Sequence, residues 1–104
     1  MTTPTSRQQQ AKDAINEALE LFHRRWMLRV IWELREGAYT FRALQARCGD
    51  ISPTVLNQRL AELRDAGLVA LDAGGYRLTP LGLDMVEAFA PLSKWAVRWW
   101  RTRP

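Results

Sequence analysis

Residues 40–66 constrain the chain most. Thr40 precedes FRALQARC, Gly49-Asp50 breaks that segment, and Ser52-Pro53 opens PTVLNQRLAELRD, which Gly67 ends. Thr and Ser before a helical run are N-cap residues, because their hydroxyls accept from backbone N–H groups that have no intrahelical partner. Pro at the first helical position loses nothing by lacking an N–H. Phe41 and Leu44 give the first run an apolar side. Leu56, Leu60 and Leu63 give the second a buried stripe. Two short amphipathic helices joined by a four-residue break are the sequence form of a helix-turn-helix.

The following residues change period. Leu68–Leu71 is short and apolar, Gly74-Gly75 reads as a two-residue turn, and Tyr76–Thr79 alternates in and out. This predicts a β-hairpin over 68–79. A helix-turn-helix followed by a hairpin is a winged helix, so the expected class is mainly α with a small β-hairpin wing. A last helix is expected over 80–101. Met85, Phe89, Leu92, Ala96 and Trp99 repeat with a period near 3.5, as in a helix–helix seam. Pro91 should kink or divide it near Phe89–Ala90.

Upstream, residues 1–6 read as a disordered start, and 7–104 as one domain. Ala11, Ala14, Ile15, Ala18, Leu19 and Phe22 line one face of an N-terminal helix. A second helix, about 25–36, is apolar nearly all round, which places it mid-core, with Gly37 as its C-cap and Trp26 and Trp32 as core residues.

Composition excludes several classes. The 104 residues suit one domain. One Cys and one His exclude a disulfide framework and a structural zinc site. No run approaches the ~20 apolar residues of a membrane span, and the first residues lack a signal peptide's apolar core. No Ser–His–acid set, Cys–His set or phosphate-cradling Gly loop is present, so no enzyme, cofactor or metal is expected. The expected compartment is the cytoplasm. The net charge is +4, with thirteen Arg and two Lys, and the four basic residues after position 90 have no acidic neighbour there.

The ordered pieces resemble the HxlR-type winged helix-turn-helix regulators, relatives of the MarR group. They are Ala18-Leu19-x-Leu21, Arg25-Trp26 opening MLRVIWELREG, Phe41-x-x-Leu44, ISPTVLNQRLAELRDAGLV at 51–69, Tyr76-x-Leu78-Thr79-x-x-Gly82, and Trp95. The resemblance covers about residues 13–96. It implies a homodimeric, sequence-specific double-stranded DNA-binding regulator without catalytic activity. The chain departs from the pattern where the family commonly has a sensing Cys (here Asp13), a Lys (Thr54) and an Arg (Ala61), and its hairpin is shorter. The last three departures reduce the phosphate contact that the resemblance implies.

Projecting residues 53–66 at 100° each sets Leu56, Leu60 and Leu63 against Thr54, Asn57, Gln58, Ala61 and Asp65. Thr54, Asn57 and Gln58 are then able to reach base edges: Asn and Gln pair with adenine, and Thr meets a thymine methyl. The alternative for this face is simple solvation. Ser52 caps the helix, and its N–H is placed to hold a phosphate. Arg42 lies where a helix-turn-helix crosses the DNA backbone, and Arg77 points outward from the hairpin. Arg59 projects beside the Leu stripe and reads as structural, paired with an acid. Cys48 reads as a small apolar residue and His23 as structural.

Trp95, Trp99 and Trp100 read three ways: a dimer seam, a pocket for a small apolar effector, or a Trp/Arg-rich interfacial membrane helix. In the first, Ile15, Leu19, Phe22, Phe89, Leu92, Trp95 and Trp99 form a dimer interface between N- and C-terminal helices. The competing function is a protein-interaction or effector-sensing module with weak or no DNA binding. Residues 40–80, with five Arg against four acids, keep that reading open.

Overall fold

The computed structural model describes residues 4–104, so the first half of the expected disordered start lies outside the described residues. The order is α1 (Pro4–His23), α2 (Met27–Glu33), α3 (Phe41–Cys48), α4 (Pro53–Asp65), β1 (Val69–Asp72), β2 (Gly75–Leu78) and α5 (Pro80–Thr102). Helix α1 begins at Pro4, so residues 4–6 belong to it.

α2 is the hub, packing on α1, α3, α4 and α5. The core combines Met27, Val30, Ile31 and Leu34 with Leu44, Ile51, Leu56, Leu60, Leu63 and the hairpin's Leu68, Val69 and Leu78. Both expected caps form: Thr40 Oγ1 accepts from Ala43 N–H at 3.2 Å, and Ser52 Oγ from Val55 N–H at 3.1 Å. Gln45 Nε2 donates to Ile51 O at 3.3 Å across the break and fixes the turn.

α2 is shorter than the sequence suggests. Trp26 adopts φ 76°, the left-handed region, so the helix cannot start before Met27. At the other end Leu34 and Arg35 donate to Ile31 O and Trp32 O, and this tighter winding closes the helix ahead of Gly37. Trp26 and Trp32 are half-buried rather than core. Trp26 sits on the elbow under the Arg25 guanidinium, and Trp32 leans on Phe89 of α5 at 5.6 Å. Nor is α2 wholly apolar. Glu33 is buried, with Arg29 at 2.9 Å and Arg47 at 3.4 Å, the pairing a buried charge requires.

The hairpin turn is Ala73-Gly74, one residue earlier than expected, with Asp72 opposite Gly75. Two interactions select this register. Asp72 Oδ1 accepts from Gly74 N–H at 2.9 Å, a local turn bond of the kind Asp favours. Tyr39 exchanges two backbone hydrogen bonds with Tyr76, at 2.9 and 2.8 Å, adding a third extended segment beside β2. That approach needs Gly75: its φ is +111°, and a Cβ there would lie 2.5 Å from Tyr39 O.

α5 is one continuous helix through Pro91, so it is not divided near Phe89–Ala90. Proline removes a single ladder bond from 23 residues. Ser93 Oγ donates to Ala90 O at 2.9 Å nearby, adding a side-chain bond to this stretch of the helix. Thr79 caps α5, accepting from Gly82 N–H and donating to Gly67 O, which ties the wing to the last helix. The radius of gyration is 15.9 Å, against about 13 Å for a compact chain near this length.

Candidate nucleic-acid interface

α4 carries the site. Leu56, Leu60 and Leu63 are buried against the core, which fixes the helix's rotation about its own axis. Thr54, Asn57, Gln58 and Ala61 consequently face solvent as one uncharged stretch of a ridge, and Asp65, also exposed, closes the same face at the end of the helix. Ser52 is exposed at the start of the helix with its hydroxyl engaged in the cap, leaving its backbone as the group available to an anion.

Arg59 is turned away from that ridge. Its Nε donates to Arg25 O at 2.9 Å and its guanidinium pairs with Glu62, which also pairs with Arg24. The structural role expected for Arg59 is met, with Glu62 as the acid. The cluster also anchors α4 to the α1–α2 elbow, which no local sequence signal announced.

Arg42 is exposed in the first turn of α3 and has no ion pair among the described residues. Arg77 is exposed on β2, but its Nε lies 2.7 Å from Asp72 Oδ2. That bond, with the one from Gly74 N–H, holds the Asp72 carboxyl below the usual carboxylate range. The wing thus presents an ion pair in place of a free cation. Nothing in the alternation of the hairpin announces Asp72 as the partner of Arg77.

A second exposed surface lies on the terminal helices. Ile15 and Leu19 of α1 are 55% and 59% exposed, and Leu92, Trp95 and Trp99 of α5 are each near half exposed. Phe22 and Phe89 are half-buried, the first against the core and the second against Trp32. Trp95 and Trp99 stack with centroids 5.9 Å apart and planes 8° apart. Trp100, absent from the expected interface, is the most exposed large apolar side chain described. His23 ends α1 and lines a shallow surface depression with Asn16, Leu19 and Glu20.

Cys48 is buried on α3, as expected. Burial pushes its thiol up, Glu33 adds to the rise, and Arg29 and Arg47 oppose it. A thiol with a raised pKa holds less thiolate at neutral pH, and thiolate is the reactive form. Iodoacetamide at pH 7.5 is therefore expected to modify Cys48 in folded protein far more slowly than in denaturant, with the rate still climbing above pH 9. Equal rates in both states would contradict the buried placement.

A capped recognition helix over a shared core, preceded by its supporting helix and followed by a hairpin, defines a winged helix-turn-helix DNA-binding protein. The sequence model of the HxlR-like helix-turn-helix family matches residues 21–104, and the chain belongs to that family. It is similar to the HTH-type transcriptional regulator YvaP of Bacillus subtilis, 29% identical over 90 residues, 80% of this chain and 83% of YvaP. It is also similar to the regulator YtfH of Escherichia coli, 33% identical over 86 residues, 76% of this chain and 68% of YtfH. Among solved structures, quinone-bound YodB from B. subtilis superposes with a TM-score of 0.78 at 27% identity, covering 83% of this chain and 98% of YodB. The protein is a DNA-binding transcription regulator, and its family and relatives are regulators, not enzymes. No helix among the described residues is long and apolar enough to cross a membrane.

Proposed function

We propose that the protein regulates transcription in the cytoplasm as a homodimer on double-stranded DNA, with α4 in the major groove and the hairpin beside the minor groove. The observation that carries this reading is the exposed polar ridge on a helix whose opposite side is wholly buried. Thr54, Asn57 and Gln58 read base edges. Arg42 and the Ser52 backbone hold phosphates, which position the protein without carrying sequence information. Arg77 serves the wing, shared with Asp72.

Ile15, Leu19, Phe22, Phe89, Leu92, Trp95 and Trp99 join two copies across a two-fold axis. Support comes from the large apolar side chains left exposed on α1 and α5, since exposed apolar patches mark association surfaces. A second reading, an effector-sensing module with little DNA affinity, is favoured by one observation: Arg59 and Arg77 are both neutralised by acids. The name of the quinone-bound relative gives the chemical class of a small apolar effector for that case.

A fluorescence titration of random duplex DNA at two salt concentrations separates the readings. Binding that weakens with salt is expected. With Arg42→Ala, the slope of log K against log salt should fall in magnitude by about 0.9 for each phosphate that Arg42 neutralises. An unchanged slope would show that Arg42 touches no phosphate, and no binding at low salt favours the sensing module.

A further inference from the structure

We infer that the half-site read by α4 is built of A·T base pairs, because the exposed ridge of this helix holds adenine- and thymine-reading side chains while the one Arg and one acid that precede Arg64 on it are paired with each other. This rests on the DNA-binding reading above and deepens it.

Guanine is read in the major groove by Arg or Lys bonded to O6 and N7, and cytosine by a carboxylate accepting from N4. Ahead of Arg64, α4 contains one Arg and one acid, Arg59 and Glu62. Both are withdrawn. The Arg59 guanidinium is engaged by Arg25 O and Glu62, with its side chain 18% exposed, and the Glu62 carboxylate is held between Arg59 and Arg24. Freeing Arg59 would cost it both Arg25 O and Glu62, and freeing Glu62 would leave the Arg59 guanidinium without a counter-charge in a partly buried site, costs that disfavour rearrangement on DNA.

What remains on the ridge ahead of Asp65 is neutral and exposed. Asn57 and Gln58 each offer a donor and an acceptor in one plane, the pattern that matches adenine N7 and N6. Thr54 precedes Gln58 by one turn and Ala61 follows Asn57 by one turn, so all four lie along one strip. The Thr54 and Ala61 methyl groups suit the thymine C5-methyl. Arg64 and Asp65 are also exposed. They lie about a turn beyond Ala61, ten and eleven residues past Thr54 and about 15 Å along the axis, at the end of the helix farthest from the N-terminal residues that contact base edges.

The test is a selection from random duplex DNA with the full chain, repeated with Gln58→Ala and Gln58→Arg. Gln58 is exposed, so both variants should retain the wild-type helical signal. In the wild type, A·T pairs are expected at the most constrained positions of each half-site. Gln58→Ala should lose about tenfold discrimination at one position per half-site and keep the others. Gln58→Arg should exchange adenine for guanine at that same position. Invariant G·C pairs at the wild-type's most constrained positions, or an unchanged preference in both variants, would overturn the assignment while leaving DNA binding intact. Failure to retain any duplex at low salt would overturn the DNA-binding reading and this one together.

Discussion

Trp99→Asp is expected to yield a folded monomer that binds its operator two to three orders of magnitude more weakly. Trp99 is about half exposed on α5 and stacks on Trp95, with no place in the core cluster. Removing it costs the protomer one exposed ring pair and the Arg103 guanidinium's contact with the ring, both at the surface, so the helical signal should persist. In an association surface the same position would force a carboxylate out of water without a partner, which is strongly unfavourable. Linking two recognition helices in one particle raises the apparent affinity by about 10² to 10⁴ over a single one, and that gain disappears with the dimer. Sedimentation at low micromolar concentration reads the state directly. A variant that still sediments as a dimer would place the interface elsewhere.

Leu60→Ala should destabilise the fold severely while leaving the sequence preference alone. Leu60 is 1% exposed, midway along α4 and surrounded by other fully buried side chains. Truncation removes transfer free energy and leaves a cavity, together about 2–5 kcal/mol. That is a large share of the roughly 5–15 kcal/mol that holds a domain folded, so the melting temperature should fall by about 10 °C or more. Gln58, two positions away on the opposite face, should show the reverse, little change in melting and a changed operator. A Leu60→Ala variant melting within about 2–3 °C of the wild type would mean that this helix is not held by the stripe.

The features legible in the sequence were those set by near neighbours. Thr40, Ser52 and Pro53 mark helix starts because capping is a three-residue affair, and the 56-60-63 spacing of Leu fixes which side of α4 faces out. The exposed ridge follows from those alone. Other features depend on partners distant in the chain. Nothing local to Trp26 signals a left-handed residue; the elbow imposes it, and α2 shortens as a result. Nothing local marks Glu33 for burial; its partner Arg47 comes from α3. DAGG permits two turn registers, and the pairing of Tyr39 with Tyr76 decides between them. Arg77 points outward as its strand position requires, but its charge is matched by Asp72 across the turn.

The most direct test of a two-fold DNA regulator is a hydroxyl-radical footprint on a selected duplex, with the mass of the same complex measured in solution. Two protected segments are predicted on one face of the duplex. Their centres should lie about 34 Å apart, one helical turn, or a whole multiple of it. The complex should contain two chains. A single protected segment with one chain per duplex would contradict the dimeric arrangement, and protection that does not move with sequence would contradict readout by α4.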